Sequence, residues 1–256
     1  MRFFNNDEYL EVGESTYMFN ILKQEARQAL VKNPLINQVL YKSILAHSDF
    51  NASLAWCVVD KLNKDEERFR DWYLIVVEVY NNNPEIINHA LSDLHAFRER
   101  DPACYGYLQV MLFFKGFIAL QCYRVAHEFY IQGKKETALF IQSRMSEVLS
   151  IDIHPAAKIG SGIMFDHAHC LVIGETAIIG NNVSLFHSIT LGGTGKEHGD
   201  RHPKIGDNVT IGAGAKILGN INIGDNAKVA AGSVVLECVL EGKTVAGVPA
   251  RIVDGQ

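Results

Sequence analysis

With 256 residues and 48% apolar content, the chain is long enough for one large or two ordinary domains with packed cores, and a net charge of -5 excludes a basic nucleic-acid surface. Five scattered Cys, odd in number and without a C-x-x-C pair, fit reduced cytoplasmic thiols rather than a secreted disulfide framework. Residues 1–8 turn polar after four positions and lack the apolar core of a signal peptide, and the apolar runs at 110–114 and 117–120, interrupted by Lys115, are too short to span a membrane.

The first 150 residues read as helical. Residues 15–31 place Phe19, Leu22, Ala26 and Leu30 at helical spacing, and Asn33-Pro34 ends that run. Asp65-Glu66-Glu67 forms an acidic first turn ahead of Trp72, Ile75, Val76 and Val79, and Asn83-Pro84 closes this second helix. The period resumes from Pro84 to Arg100 and stops at Asp101-Pro102. Gly116 and Gly133 mark the boundaries of a further helical stretch, and 134–149 forms another. No cofactor or metal motif stands out in this half, whose apolar stripes read as core or subunit contacts.

From Ile153 the pattern changes to a period of six. Apolar residues fall at Ile153, Ile159, Phe165, Ile173, Ile179, Leu185, Leu191, Ile205, Ile211, Ile217, Ile223, Val229 and Val235, with small or aliphatic residues four places on at Ala157, Ile163, Ala177, Val183, Ile189, Val209, Ala215 and Ile221. This period fits neither a helix nor an alternating strand. It is the signature of a parallel β-helix in which three six-residue faces make one coil and coils stack at ~4.8 Å. The open end of such a stack needs a cover, and a preceding helical cap would supply it.

The period breaks twice. Phe165 and Ile173 lie eight apart, so two residues are extra within 166–172, and Leu191 and Ile205 lie fourteen apart, so eight residues leave the prism as a Gly-rich polar loop at 192–204. His167, beside Asp166 at the first break, is a candidate general base, although an exposed polar turn is the plainer reading of an Asp-His pair. The interval of twenty from His167 to His187 makes them neighbours on successive coils. They could serve a metal or a substrate pocket, but no H-x-x-x-x-H pair is present. Asp152, fifteen residues before His167, is three short of a coil, so stacking alone does not bring the two together.

The runs at 152–160, 162–168 and 173–177 carry a specific resemblance, as do Thr190-Leu191-Gly192-Gly193-Thr194-Gly195-Lys196, Gly199-Asp200-Arg201-His202-Pro203-Lys204-Ile205 and the run at 211–220. With Arg98-Glu99-Arg100-Asp101-Pro102-Ala103 and the motif at 115–124 upstream, the chain resembles the serine O-acetyltransferase family over both halves. The resemblance implies an α+β two-domain fold: a helical oligomerisation or cap domain at 1–150, then a left-handed parallel β-helix of hexapeptide repeats at 151–256. It implies acetyl transfer from acetyl-CoA to the hydroxyl of L-serine on the route to cysteine. His167 would be the base, oriented by Asp152. Serine would be held by Asp101, Asp166, Arg201 and His202, and acetyl-CoA would lie near Gly193, Thr194, Ala213 and Lys228 in a cleft between subunits. No metal or permanently bound cofactor is expected.

Further implications are a homotrimer or a hexamer made as a dimer of trimers, feedback inhibition by L-cysteine, and a cytoplasmic location. Family members commonly end in a longer tail with a terminal Ile that enters O-acetylserine sulfhydrylase. This chain ends Ile252-Val253-Asp254-Gly255-Gln256, so a stable complex with that partner is not expected. The alternatives are another hexapeptide acyltransferase with a homoserine or sugar acceptor, or a metal-dependent β-helix.

Overall fold

The computed structural model describes residues 13–63, 66–196 and 198–253; the readings placed on residues 1–8, Asp65 and 254–256 lie outside them. The chain divides into two compact units, Met1–Phe113 and Phe114–Gln256.

The first unit holds α1 (Glu14–Lys32), α2 (Asn37–Leu40), α3 (Phe50–Leu62), α4 (Glu66–Asn82), α5 (Pro84–Arg100) and α6 (Tyr107–Phe113). Met18, Phe19, Leu22 and Ala26 form the buried stripe of α1, and Asn33 closes its last turn with backbone and side-chain bonds to the Ala29 carbonyl. α3 starts where the Asp49 carboxylate accepts the Ala52 N–H at 2.9 Å. At the end of α5 the chain turns through Asp101, whose Oδ1 accepts from Ala103 N at 2.8 Å. Arg98 donates to the Cys104 carbonyl at 2.9 Å, and Glu25 on α1 accepts the Leu108 N–H at 2.7 Å. Asp101 therefore sits on a loop tied down at both ends. Burial pushes the Glu25 carboxyl above its usual range, against the lowering effect of its backbone donors.

In the second unit α7 (Lys115–Ile131) and α8 (Lys135–Leu149) precede the coils, separated by Gly133 in the left-handed region at φ 81°. α7 caps the first coil. Tyr123 Oη donates to the Ala157 carbonyl at 2.5 Å, Arg124 Nη2 to Gly160 at 2.9 Å and His127 Nδ1 to Pro155 at 2.7 Å, satisfying carbonyls at the open end of the stack. The boundary read at Gly116 falls one residue inside the observed start of α7 at Lys115. A Cβ on Gly116 would sit 1.9 Å from the Phe165 carbonyl oxygen, so close packing and not chain reversal requires glycine. Helix gives way to coil at 150/151, but the compact boundary lies at 113/114 because α7 and α8 pack with the coils.

The coils form three parallel sheets. The first contains β1 (Ile151–Ile153), β4 (Leu171–Ile173), β7 (Thr190–Gly192), β10 (Lys216–Leu218) and β13 (Val234–Val235). The second contains β2 (Lys158–Ile159), β5 (Ile178–Ile179), β8 (Lys204–Ile205) and β11 (Asn222–Ile223). The third contains β3 (Met164–Phe165), β6 (Ser184–Leu185), β9 (Thr210–Ile211), β12 (Lys228–Val229), β14 (Thr244–Gly247) and an antiparallel final strand, β15 (Ala250–Ile252). Each of the thirteen period-six apolar residues falls in its own strand, β1 to β13, and is buried. Burial of an aliphatic side chain contributes roughly 1.5–3 kcal/mol. Repeated in every strand, that term leaves the coil register little freedom.

The ladder register locates both interruptions. Ile151 pairs with Leu171 and Met164 with Ser184, twenty residues on, whereas Val172 pairs with Thr190, eighteen on. Ile178 pairs with Lys204 and Thr190 with Lys216, twenty-six on, before the offset returns to eighteen at Lys204 and Asn222. The first excess of two lies between β3 and β4. The excess of eight lies between β7 and β8.

Candidate active site

The corner joining the third sheet to the first carries the first interruption. Asp166 N–H still bonds the Leu185 carbonyl in register, and Ser188 N–H bonds the carbonyl of His169. Backbone register thus matches His169, not His167, with His187, and leaves His167 and Ala168 as the two extra residues. Both adopt the left-handed region, at φ 55° and 53°, a conformation that costs about 1–2 kcal/mol for each non-glycine residue. The bulge buries Ala168 and pushes His167 out with 76% of its side chain exposed. The rings of His167 and His187 are 6.3 Å apart, as expected of neighbours on successive coils, and His167 Nε2 lies 3.9 Å from Asp166 Oδ1. On the next coils the same corner carries Ala213, whose carbonyl accepts from Gly232 while Gly214 donates to His187.

Asp152 lies in β1 in register with Val172 and accepts a 2.7 Å hydrogen bond from Gln142 on α8. Among the described residues no hydrogen bond or ion pair joins it to His167.

The corner joining the first sheet to the second gathers a denser polar cluster. Arg201 Nη2 meets Glu175 Oε2 at 2.6 Å, and this guanidinium holds the Glu175 carboxyl below its usual range. His202 is nearly buried, and its ring lies so close to Gly174 that a Cβ there would fall 2.0 Å from His202 Cδ2. His202 Nδ1 lies 2.8 Å from Thr176 Oγ1, which also accepts the N–H groups of Arg201 and His202. His154, one coil below, feels the same charges. Burial lowers the pKa of both His154 and His202, against the raising effect of Glu175.

Gly193 and Thr194 leave β7 at this second corner, with Gly193 packed beneath Arg201, whereas Lys228 is exposed on the third sheet. Within one chain, His167 and the Arg201–His202 pair therefore occupy different corners, at opposite ends of the first-sheet strands and roughly 15–20 Å apart by strand rise.

Residues 18–122 match the family model for the N-terminal part of serine acetyltransferase, and 202–237 match the bacterial transferase hexapeptide model of six repeats. The chain is 47% identical to the serine acetyltransferase of Escherichia coli K12 over 94% of its own length and 88% of the relative's. It is 48% identical to the mitochondrial serine acetyltransferase 3 of Arabidopsis thaliana over 92% of its length, but spans only 60% of that longer protein. Among solved structures it superposes on soybean serine acetyltransferase complexed with serine at TM-score 0.91 and 49% identity, covering 94% of this chain and 99% of that one. On the Brucella abortus S19 enzyme in complex with coenzyme A the TM-score is 0.90 and the identity 43%, covering 93% and 95%.

The chain belongs to the serine acetyltransferase family.

Sequence reasoning passed over three members of the second corner: His154, Glu175 and Thr176. Their signal was present. Glu175 and Arg201 are twenty-six apart, as are Thr176 and His202, which is the offset of strands paired across the long loop. A conserved coil length of eighteen would never have matched them.

The lowered pKa values have a stability consequence. A histidine whose folded pKa lies below its unfolded value stabilises the fold above the unfolded pKa of ~6.5, and that contribution disappears as pH falls through the folded value. Thermal midpoints should therefore fall from about pH 7.5 to about pH 5, and fall less in a His154→Asn/His202→Gln double variant. Parallel midpoint curves for the two proteins would refute this assignment.

Proposed function

We propose that the chain moves acetyl from acetyl-CoA to the L-serine hydroxyl with His167 as general base. The observation that carries the assignment is the bulge that presents His167, a strained and exposed imidazole beside Asp166, in a chain whose solved relatives hold serine and coenzyme A. A serine hydroxyl is a weak nucleophile at neutral pH. His167 takes its proton as the oxygen attacks the thioester carbonyl carbon, the C–S bond breaks, and the thiolate leaves with the proton returned by His167. The products are O-acetyl-L-serine and CoA. Asp152 orients the imidazole once ligands are bound; the exposed ring has room to turn, and catalytic hydrogen bonds often tighten only in the substrate complex.

The positions matching the family's serine site supply the remaining groups: Asp101 and Asp166 for the ammonium, Arg201 and His202 for the carboxylate. Gly193, Thr194 and Ala213 leave space for the pantetheine arm, and Lys228 meets phosphate. The separation of the two corners supports a site shared between chains, with His167 of one subunit facing Arg201 and His202 of the next in a trimer. The helical domain at 1–150 joins trimers into a hexamer, and L-cysteine inhibits by occupying the serine site. Five free cysteines favour a cytoplasmic location; no single described helix is long and apolar enough to cross a membrane.

The direct test is CoA release with serine, homoserine and a galactoside side by side. Serine should be the preferred acceptor by at least roughly tenfold in kcat/KM. Equal or faster turnover of either competitor would assign the chain to another acceptor class.

A further inference from the structure

A hydroxyl has one proton and two lone pairs, and the geometry around Thr176 uses all three. Its Oγ1 accepts the N–H of Arg201 at 3.0 Å and of His202 at 3.1 Å, and its one proton has two acceptors, His202 Nδ1 at 2.8 Å and the Asp200 carboxylate. The Thr176 backbone N–H points at the same Nδ1 from 3.2 Å. A backbone N–H can only donate, so that ring nitrogen must carry no proton. We propose that Thr176 is a positioning residue of the serine site, fixing His202 as the tautomer with its proton on Nε2 and thereby as an obligate hydrogen-bond donor.

This inference rests on the serine-binding reading given above and deepens it. The charged groups around the ring act in the same sense: Arg201 and Lys204 disfavour a second proton, and burial does so more strongly, against Glu175. Gly174 leaves the space into which the ring is packed, and Lys204 Nζ ties the Thr176 and His202 carbonyls at 2.8 and 2.7 Å. An Nε2–H donor within the electrostatic reach of the Arg201 guanidinium matches the carboxylate of an α-amino acid. It cannot accept the substrate's hydroxyl proton. The two histidines are thereby assigned different work: His202 donates to the bound carboxylate and His167 accepts the proton.

The tautomer is read directly from two-bond nitrogen–proton correlations of the full-length protein labelled with [15N]histidine. Wild type and Thr176→Ser, which keeps the hydroxyl, should show His202 in the single Nε2–H form. Thr176→Val, of matching shape, leaves only the longer 3.2 Å backbone N–H contact on Nδ1 and should mix tautomers and raise the serine KM by ~10-fold or more, with the acetyl-CoA KM within about twofold and Thr176→Ser restoring serine affinity. A single Nε2–H form retained in Thr176→Val would overturn the proposal, as would tautomer mixing with unchanged serine KM or equal rises in both KM values. The spectroscopic arm needs no turnover. A wild type with the fixed tautomer but no serine-dependent CoA release would defeat the acetyltransferase reading and leave the tautomer lock standing.

Discussion

If His167 is the base proposed above, His167→Ala should lower kcat by about 10²- to 10⁴-fold with the fold intact, because general-base catalysis contributes on that order and the side chain packs against little else. The ring lies on an exposed bulge, so its removal leaves no cavity in the coil. KM for serine and for acetyl-CoA should change far less than kcat, since the lost interaction belongs to the transition state. Serine-dependent CoA release at the wild-type rate in this variant would remove His167 from the mechanism. A second measurement uses the separation of the two corners. His167→Ala subunits mixed and reassembled with equal Arg201→Ala subunits should recover activity, because about a quarter of shared sites would then draw both intact residues from different chains. If each chain held a complete site of its own, the mixture would stay inactive.

Gly116→Ala should be among the most destabilising single-methyl changes in the coil-bearing unit. The added Cβ would lie 1.9 Å from the Phe165 carbonyl oxygen and 2.9 Å from its carbon, so backbone must move against backbone. Hydrogen bonds from Tyr123, Arg124 and His127 on α7 to the first coil resist that movement. Overpacking of this kind costs ~1–3 kcal/mol, or a fall of several degrees in Tm. Phe165 immediately precedes Asp166 and His167, so kcat should fall with stability. Gly133→Ala is the control: nothing lies within 4 Å of its Cβ, and only its φ of 81° opposes the side chain. A Gly116→Ala midpoint at or above that of Gly133→Ala would show that α7 does not pack on the coil as described.

Much of the fold could be read before the coordinates, and for a single reason. The helices at 14–32, 66–82 and 84–100 carry long periodic stripes with Asn-Pro or Asp-Pro at their ends. α6 escaped because seven residues are too few for a period to declare itself, and its first turn is held by Glu25, eighty-three residues away. α3 escaped because its burial wraps round from Leu54 and Ala55 to Val58 and Val59 with no polar stripe to frame it. Gly116 marked the start of α7 to within one residue, but its close approach to the Phe165 backbone is a contact that no one-dimensional pattern carries.

By itself the sequence determined the three-sided coil, the position and length of its two interruptions and the family resemblance, because one apolar side chain is buried per strand and its spacing in the chain is its spacing in the core. Tertiary structure decided that His167 and Ala168 are the two extra residues, that α7 covers the first coil and that Glu175 and Thr176 hold Arg201 and His202. It also decided that His167 and the Arg201–His202 pair stand on different corners of one chain. Hydrophobic period is a local property repeated along the chain, whereas a polar partner across a loop depends on the path the loop takes and on which few atoms it leaves within 3 Å of each other.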